Sequence, residues 1–381
     1  MHKFNTHFYI IHYLIIFTLI GFSSSFLYAS PDLEKLNVPD GFEISIYADE
    51  LDSPRQLAET NEGYIVVGSK KGDKIFALYD SNFDGYAEKR ILISDNLQNP
   101  TGVTVHDGNL YFAEIDTIWV IEDIDKWLNS NSKSLPNKSI YMNNLPSETW
   151  HGFKYIDFGP DDNLYIPVGV PCNICLEPQT KDTRFAAIHK YVDGELITVA
   201  DGVRNSVGFD WHPVTKELYF TDNGRDWMGD DIPPCELNKV EFEGEHFGFP
   251  YIHGNDIEDD GFKSPKGFEF SKPIWEFQAH TAPIGMKFYD GSMFPDYYRN
   301  GIFVAQHGSW NRSSKVGYKV LFMKIKDGLI ESSEVFLDGW LEGESTWGAP
   351  AAPLVLRDGS MLISDDRSNQ IFRITYKNTK N

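Results

Sequence analysis

One unit recurs six times along the chain, and this repeat limits the fold more than any other feature. A polar turn leads into a short apolar, aromatic strand at Gly63-Tyr64-Ile65-Val66-Val67 and again at Gly108-Asn109-Leu110-Tyr111-Phe112. The pattern returns at Asp162-Asn163-Leu164-Tyr165-Ile166, Lys216-Glu217-Leu218-Tyr219-Phe220, Asn300-Gly301-Ile302-Phe303-Val304 and Gly359-Ser360-Met361-Leu362-Ile363. Counted between Tyr64, Tyr111, Tyr165, Tyr219, Phe303 and Leu362, the spacings are 47, 54, 54, 84 and 59 residues. Apart from one insertion these are blade-sized periods. Each copy has an apolar strand before it, a third after it and usually a fourth, with β-branched and aromatic alternation and few helical periods. The expectation is an all-β chain: a six-bladed β-propeller of four-stranded antiparallel blades.

The chain ends fit closure of such a ring. The last unit carries three strands, while Phe42-Glu43-Ile44-Ser45-Ile46-Tyr47 is a lone strand ahead of the first unit. Pairing the two leaves no exposed edge. The insertion, about Gly244 to Thr281, is rich in Gly, Pro and Asp and reads as loops over one face. Residues 1–29 have a basic start, an apolar run from Phe8 to Phe22 and a small-residue end at Ala29, the order of a secretory signal peptide. Residues 30–381 are then one propeller domain in the periplasm or outside the cell, held at a membrane if the segment stays uncleaved. Cys172 and Cys175 stand three apart in a C-x-x-C and read as a local disulfide in an oxidising compartment, leaving Cys235 as a free thiol.

The charge excludes a class of partner. With 34 Lys+Arg against 56 Asp+Glu the formal net charge is −22, so no nucleic acid is expected as a ligand, because that affinity comes from basic side chains on phosphates. There is no G-x-S-x-G elbow, H-E-x-x-H, P-loop or G-x-G-x-x-G.

Residues just before each inner strand of a propeller converge at one mouth. Here they are Arg55, Gln98-Asn99, Trp150-His151-Gly152, Arg204-Asn205, His280-Thr281 and Trp347-Gly348-Ala349. Arginine at the mouth of so acidic a chain points to an anionic ligand, and His151 is the natural proton acceptor. Two stretches read as calcium loops. Thr221-Asp222-Asn223-Gly224-Arg225-Asp226 sets carboxylates among glycines, and Asp80, Asn82, Asp84 and Glu88 form a D-x-N-x-D-G-x-x-E turn between two strands.

From Gly202 to Trp227, and at Trp150-His151-Gly152-Phe153-Lys154-Tyr155, Gln306-His307-Gly308-Ser309-Trp310-Asn311-Arg312 and Ser364-Asp365-Asp366, the chain resembles the sorbosone/soluble glucose dehydrogenases. These are exported quinoproteins that use pyrroloquinoline quinone (PQQ) and Ca2+ on a six-bladed propeller. The resemblance spans about residues 40 to 377. It implies oxidation of a sugar or sugar aldehyde, with His151 as general base and Arg204 and Asn205 on the quinone oxygens. Thr281 and His307 join the cofactor set, and the cofactor calcium lies at Gly224 and Arg225. It also implies a second calcium near Glu236 and a separate electron acceptor, a quinone or cytochrome. Where relatives read Trp-Gly-Arg-Pro, this chain has Trp347-Gly348-Ala349-Pro350, which removes a cation expected on a PQQ carboxylate. Arg225, Arg312 and Arg55 are the candidates to replace it. The alternatives are a calcium-dependent lactonase-type hydrolase and a non-catalytic carbohydrate-binding propeller.

Overall fold

The computed structural model describes residues 33–130 and 132–377; the signal-peptide reading lies outside them. Six antiparallel sheets follow one another around a ring. Blade 1 runs through Pro54–Glu59, Ile65–Ser69, Ile75–Tyr79 and Lys89–Ser94, and blade 2 through Gly102–His106, Asn109–Ala113, Ile118–Ile121 and Ser139–Met142. Blade 3 uses Asp157–Phe158, Leu164–Val168, Ala187–Val192 and Glu195–Asp201, with Glu245–His246 added in parallel at its edge. Blade 4 has Phe209–Trp211, Leu218–Asp222, Cys235–Lys239 and Trp275–Phe277; blade 5 has Pro283–Phe288, Ile302–Gln306, Lys319–Lys326 and Leu329–Leu337. Blade 6 is Pro350–Val355, Met361–Asp365 and Gln370–Tyr376, completed by Phe42–Ala48.

The six repeated units are the second strands of the blades, and first strands of neighbouring blades pack side by side around the axis. The ring closes as the alternation requires. Phe42–Ala48 pairs antiparallel with Gln370–Tyr376, Ile44 opposite Ile374. Phe42 then drops into an aromatic cluster between blades 5 and 6, with ring centroids 4.8 Å from Phe294 and 5.0 Å from Phe336, both edge-on. Edge-to-face packing of this kind adds about 0.5–1.5 kcal/mol per pair to the buried area.

The insertion differs from the loop expectation. It supplies Trp275–Phe277, the outer strand of blade 4, and a two-stranded hairpin, Ile252–His253 with Ile257–Glu258. These strands have two or three residues, too few for an alternation to show in sequence. No helix among the described residues is long and apolar enough to cross a membrane.

Candidate active site

In each blade the second strand returns antiparallel to the first, so the start of the first and the end of the second lie at the same end of the ring. Residues at these two places line a cavity of about 280 Å³: Arg55, His151, Arg204, Asn205 and His280 from the first set, Lys70, Asn223 and His307 from the second. Gln98, Asn99 and Trp347, expected at the mouth, are not among its lining residues.

His151 sits at a left-handed backbone position, φ 55°. Its Nδ1 lies 2.7 Å from the Val170 carbonyl. A carbonyl only accepts, so Nδ1 carries the proton and Nε2 presents a lone pair. That lone pair accepts the indole N–H of Trp150 at 3.1 Å. Burial, and then the Arg204 guanidinium, push the imidazole pKa down to about 3. The group is therefore a neutral proton acceptor in one fixed tautomer.

Arg204 is held from behind. Its Nε donates to the Asn173 carbonyl at 2.8 Å, Nη2 to Asn173 Oδ1 at 3.0 Å and Nη1 to the Asn223 carbonyl at 3.0 Å. The Cys172–Cys175 disulfide forms as the spacing predicts and brackets Asn173, so this staple stiffens the clamp on Arg204. The buried carboxylate of Asp222 accepts the backbone N–H groups of Arg204 (2.8 Å) and Asn205 (2.7 Å), fixing the loop that presents both. Cys235 is buried and free, as expected. Buried side-chain oxygens of Asn205 and Asn223 have no partner within the protein.

Asp366 organises the opposite wall. Arg55 reaches it at 2.6 Å, Lys70 at 3.2 Å and His307 Nε2 at 2.8 Å. These neighbours hold its carboxyl well below the usual carboxylate range despite burial. Burial, then Arg55, pull the Lys70 pKa down. Arg55 and Lys70 share this one carboxylate, while Asp226, which also lines the cavity, lies 3.7 Å from Arg204.

The structure sorts the remaining site expectations. Gly224 lines the cavity. Arg225 instead turns to Asp259, and Arg312 to Asp231 at 3.2 Å and the Asp230 carbonyl, so neither replaces the missing arginine. Arg55 does face the cavity, with Lys70, which sequence reasoning missed. Ala349 is fully buried in the aromatic core beside Trp340 and Phe372 and donates its N–H to Asp365 at 2.9 Å. Thr281 is buried off the cavity lining, its hydroxyl donating to the Gln278 carbonyl at 2.9 Å and accepting from Gln306 at 3.3 Å.

The side-chain oxygens read as calcium ligands bond within the protein. Asp80 and Asp84 accept N–H groups of their own turn, Gly85 to Asp80 at 2.8 Å and Tyr86 to Asp84 at 2.9 Å, while Asn82 Oδ1 accepts Asp84 N–H at 2.9 Å. Glu88 caps Ser81, so the loop satisfies itself. Glu236 accepts from Gly254 N–H at 2.7 Å and Asn238 at 3.0 Å. Burial and the nearby Asp222 carboxylate push its pKa up to about 8. Among the described residues no group of three or more His, Cys, Asp or Glu is arranged to hold a metal.

Comparison with known proteins places the fold. An uncharacterized protein of Borreliella burgdorferi is 36% identical over 378 residues, covering 96% of this chain and 97% of the relative. The chain belongs to the family of that protein. The TrAA12-like family profile matches this member over residues 258–334. Its fold is that of the PQQ-dependent sugar dehydrogenases. The calcium structure of the Trichoderma reesei AA12 carbohydrate-active enzyme superposes with a TM-score of 0.76 at 17% identity, covering 90% of this chain and 97% of that one. The holo PQQ domain of pyranose dehydrogenase from Coprinopsis cinerea gives 0.72 at 18%, covering 89% and 97%. The PQQ-bound aldose sugar dehydrogenase of Streptomyces coelicolor gives 0.63 at 17%, covering 90% and 100%.

Proposed function

We propose that this family member is an exported sugar or sugar-aldehyde dehydrogenase that uses PQQ and calcium. The observation that carries the reading is His151: a neutral imidazole in a fixed tautomer, its lone pair facing a cavity with surplus cations, in a chain of net charge −22.

The residues present fit both groups. PQQ is a tricarboxylate, and Arg55 and Lys70 are the cations that would hold its carboxylates, while Arg204 and Asn205 would hold its quinone oxygens. The unpartnered amide oxygens of Asn205 and Asn223 suit a hard cation. Calcium in this reading therefore rests on amide and backbone oxygens. PQQ supplies, when bound, an electrophilic carbon that accepts hydride. His151 Nε2 accepts the proton of the substrate hydroxyl once that hydroxyl displaces the Trp150 N–H. The Val170 carbonyl holds the ring still and bears the developing imidazolium through Nδ1–H. Arg204, locked by Asn173, would present a fixed positive charge to the quinone, without reorganisation.

The neighbouring PQQ proteins and the disulfide, which suits an oxidising compartment, support this reading. Electrons leave to a separate quinone or cytochrome. The lactonase alternative needs one metal held by channel side chains, and the donor set above does not offer it.

Purified protein loaded with PQQ and Ca2+ is expected to reduce a redox dye when given aldoses, and to lose that activity on chelation. A loaded protein that reduces no dye across the aldose panel contradicts the assignment.

A further inference from the structure

Lys154 takes an ammonium group into the interior, where the residue is only 4% exposed. Taking a charge out of water is costly unless a partner bonds it, and an apolar side chain of similar volume often serves stability as well or better. Asp116 and Glu148 attract this cation without bonding it, and burial pulls its pKa down to about 8. Its side chain makes one hydrogen bond among the described residues, from Nζ to the Gly152 carbonyl at 2.7 Å. The fold alone gives little reason for a lysine here, so the bond it makes is informative.

That bond reaches the turn that carries His151. Gly152 N–H donates to the Thr149 carbonyl at 3.1 Å, closing the turn around Trp150 and His151. A Cβ on Gly152 would fall 2.4 Å from the Glu148 carbonyl oxygen, so the turn is wound too tightly for any other residue. His151 stands in it at φ 55°, a left-handed position that a side chain keeps only where its surroundings impose it. Both polar groups of Gly152 are therefore held, its N–H by Thr149 and its carbonyl by Lys154. Lys154 is itself anchored. The Thr101 hydroxyl accepts its N–H at 2.9 Å and donates to its carbonyl at 2.9 Å. Thr101 leads directly into the first strand of blade 2, Gly102–His106. A continuous set of bonds thus runs from blade 2 through Lys154 to the residue that follows His151.

We propose that Lys154 is a positioning residue for the proton acceptor: its ammonium pins Gly152 and so keeps the His151 ring on the cavity wall with Nδ1 against the Val170 carbonyl. This rests on the base assignment above and adds a residue that meets neither substrate nor cofactor, since Lys154 is not among the cavity-lining residues. The role is geometric rather than electrostatic. Burial, Arg204 and Val170 set the proton affinity of His151, and the Lys154 charge is not among these causes.

The test replaces Lys154 by Met, which keeps the length of the side chain and removes the donor. Cofactor-free protein with 15N-labelled histidine reads the imidazole directly, the His151 signal being assigned by its loss in His151→Gln. The parent is expected to show one tautomer, Nδ1–H, and Lys154→Met a mixture of two. Thr101→Val, which frees the Lys154 backbone and keeps its side chain, gives the same change in weaker form and serves if Lys154→Met does not fold. In protein loaded with PQQ and Ca2+, Lys154→Met lowers kcat by about ten- to hundred-fold, the usual effect of a misplaced reacting group, with KM for the aldose and the acid limb unmoved. Lys154→Arg, which keeps a cationic donor, recovers part of the turnover and of the single tautomer. A loss of stability in urea with the imidazole signal and kcat unchanged makes Lys154 a part of the fold only and overturns the proposal. So does an acid limb that moves in Lys154→Met, which assigns an electrostatic role. If the loaded parent reduces no dye while the tautomer still answers to Lys154→Met, the dehydrogenase reading falls and the positioning of His151 stands.

Discussion

His151→Gln is expected to lower kcat by about 10²- to 10⁴-fold, the usual contribution of a positioned general base, while PQQ still binds. Gln keeps a polar group in the cavity wall but has no lone pair that can take a proton at neutral pH. The pH profile carries the same argument. A base works only when unprotonated, and burial plus Arg204 hold His151 down to about 3 in the cofactor-free protein, so the acid limb of kcat/KM for the loaded enzyme falls above that value but below 6. Arg204→Gln removes the neighbouring cation and moves the limb upward as it lowers turnover. An anion paired with Arg204 acts in the same direction, which makes the imidazole a stronger base once the cavity is filled. An acid limb at 6 to 7 in the parent protein, or a His151→Gln variant with full turnover, contradicts the base assignment.

Gly208→Ala is expected to destabilise the protein by more than about 3 kcal/mol, at the severe end of overpacking, and to leave most of it insoluble. Gly208 precedes the short first strand of blade 4, where a Cβ would fall inside the carbonyl of Ile284 in blade 5. That carbonyl is already engaged, accepting the Thr221 hydroxyl at 2.9 Å. Gly285 repeats the arrangement one blade on, against the backbone of Ala351 and Ala352. Neighbouring first strands approach closely at these seams, and a side chain there separates them. Because Val207 and Ile284 line the cavity, the same substitution also distorts the site. Urea unfolding measures the loss; a variant within about 1 kcal/mol of its parent contradicts the seam argument.

The fold was legible because a blade has a fixed strand count and a two-residue alternation that repeats six times. Phe42–Ala48 was readable as the closing strand for the same reason: the last unit lacked one. Trp275–Phe277 was not, since three residues among Gly and Pro carry no period. Half of the site was legible in the same register. The residues before each first strand gave Arg55, His151, Arg204 and His280. The complementary rule, one step past each second strand, names Lys70, Glu114, Gly169, Asn223, His307 and Asp366. Of these Lys70, Asn223 and His307 line the cavity, and Asp366 ties its wall together. The signal was thus available from the repeat alone. What the sequence could not supply was which cations stay turned inward: Arg225 and Arg312 look equivalent to Arg55 until Asp259 and Asp231 are seen to hold them. At the turn from Asp80 to Glu88, acceptors spaced for calcium also serve their own loop amides.

The most direct test of the account is a titration of the purified, cofactor-free protein with PQQ in the presence of Ca2+, read by quenching of tryptophan fluorescence. Saturable binding is predicted, weakened by about ten- to hundred-fold in Arg55→Ala through loss of a charge-assisted contact of roughly 1.5–3 kcal/mol. Absence of saturable binding at micromolar PQQ contradicts the central claim and leaves a propeller whose cavity serves another anion.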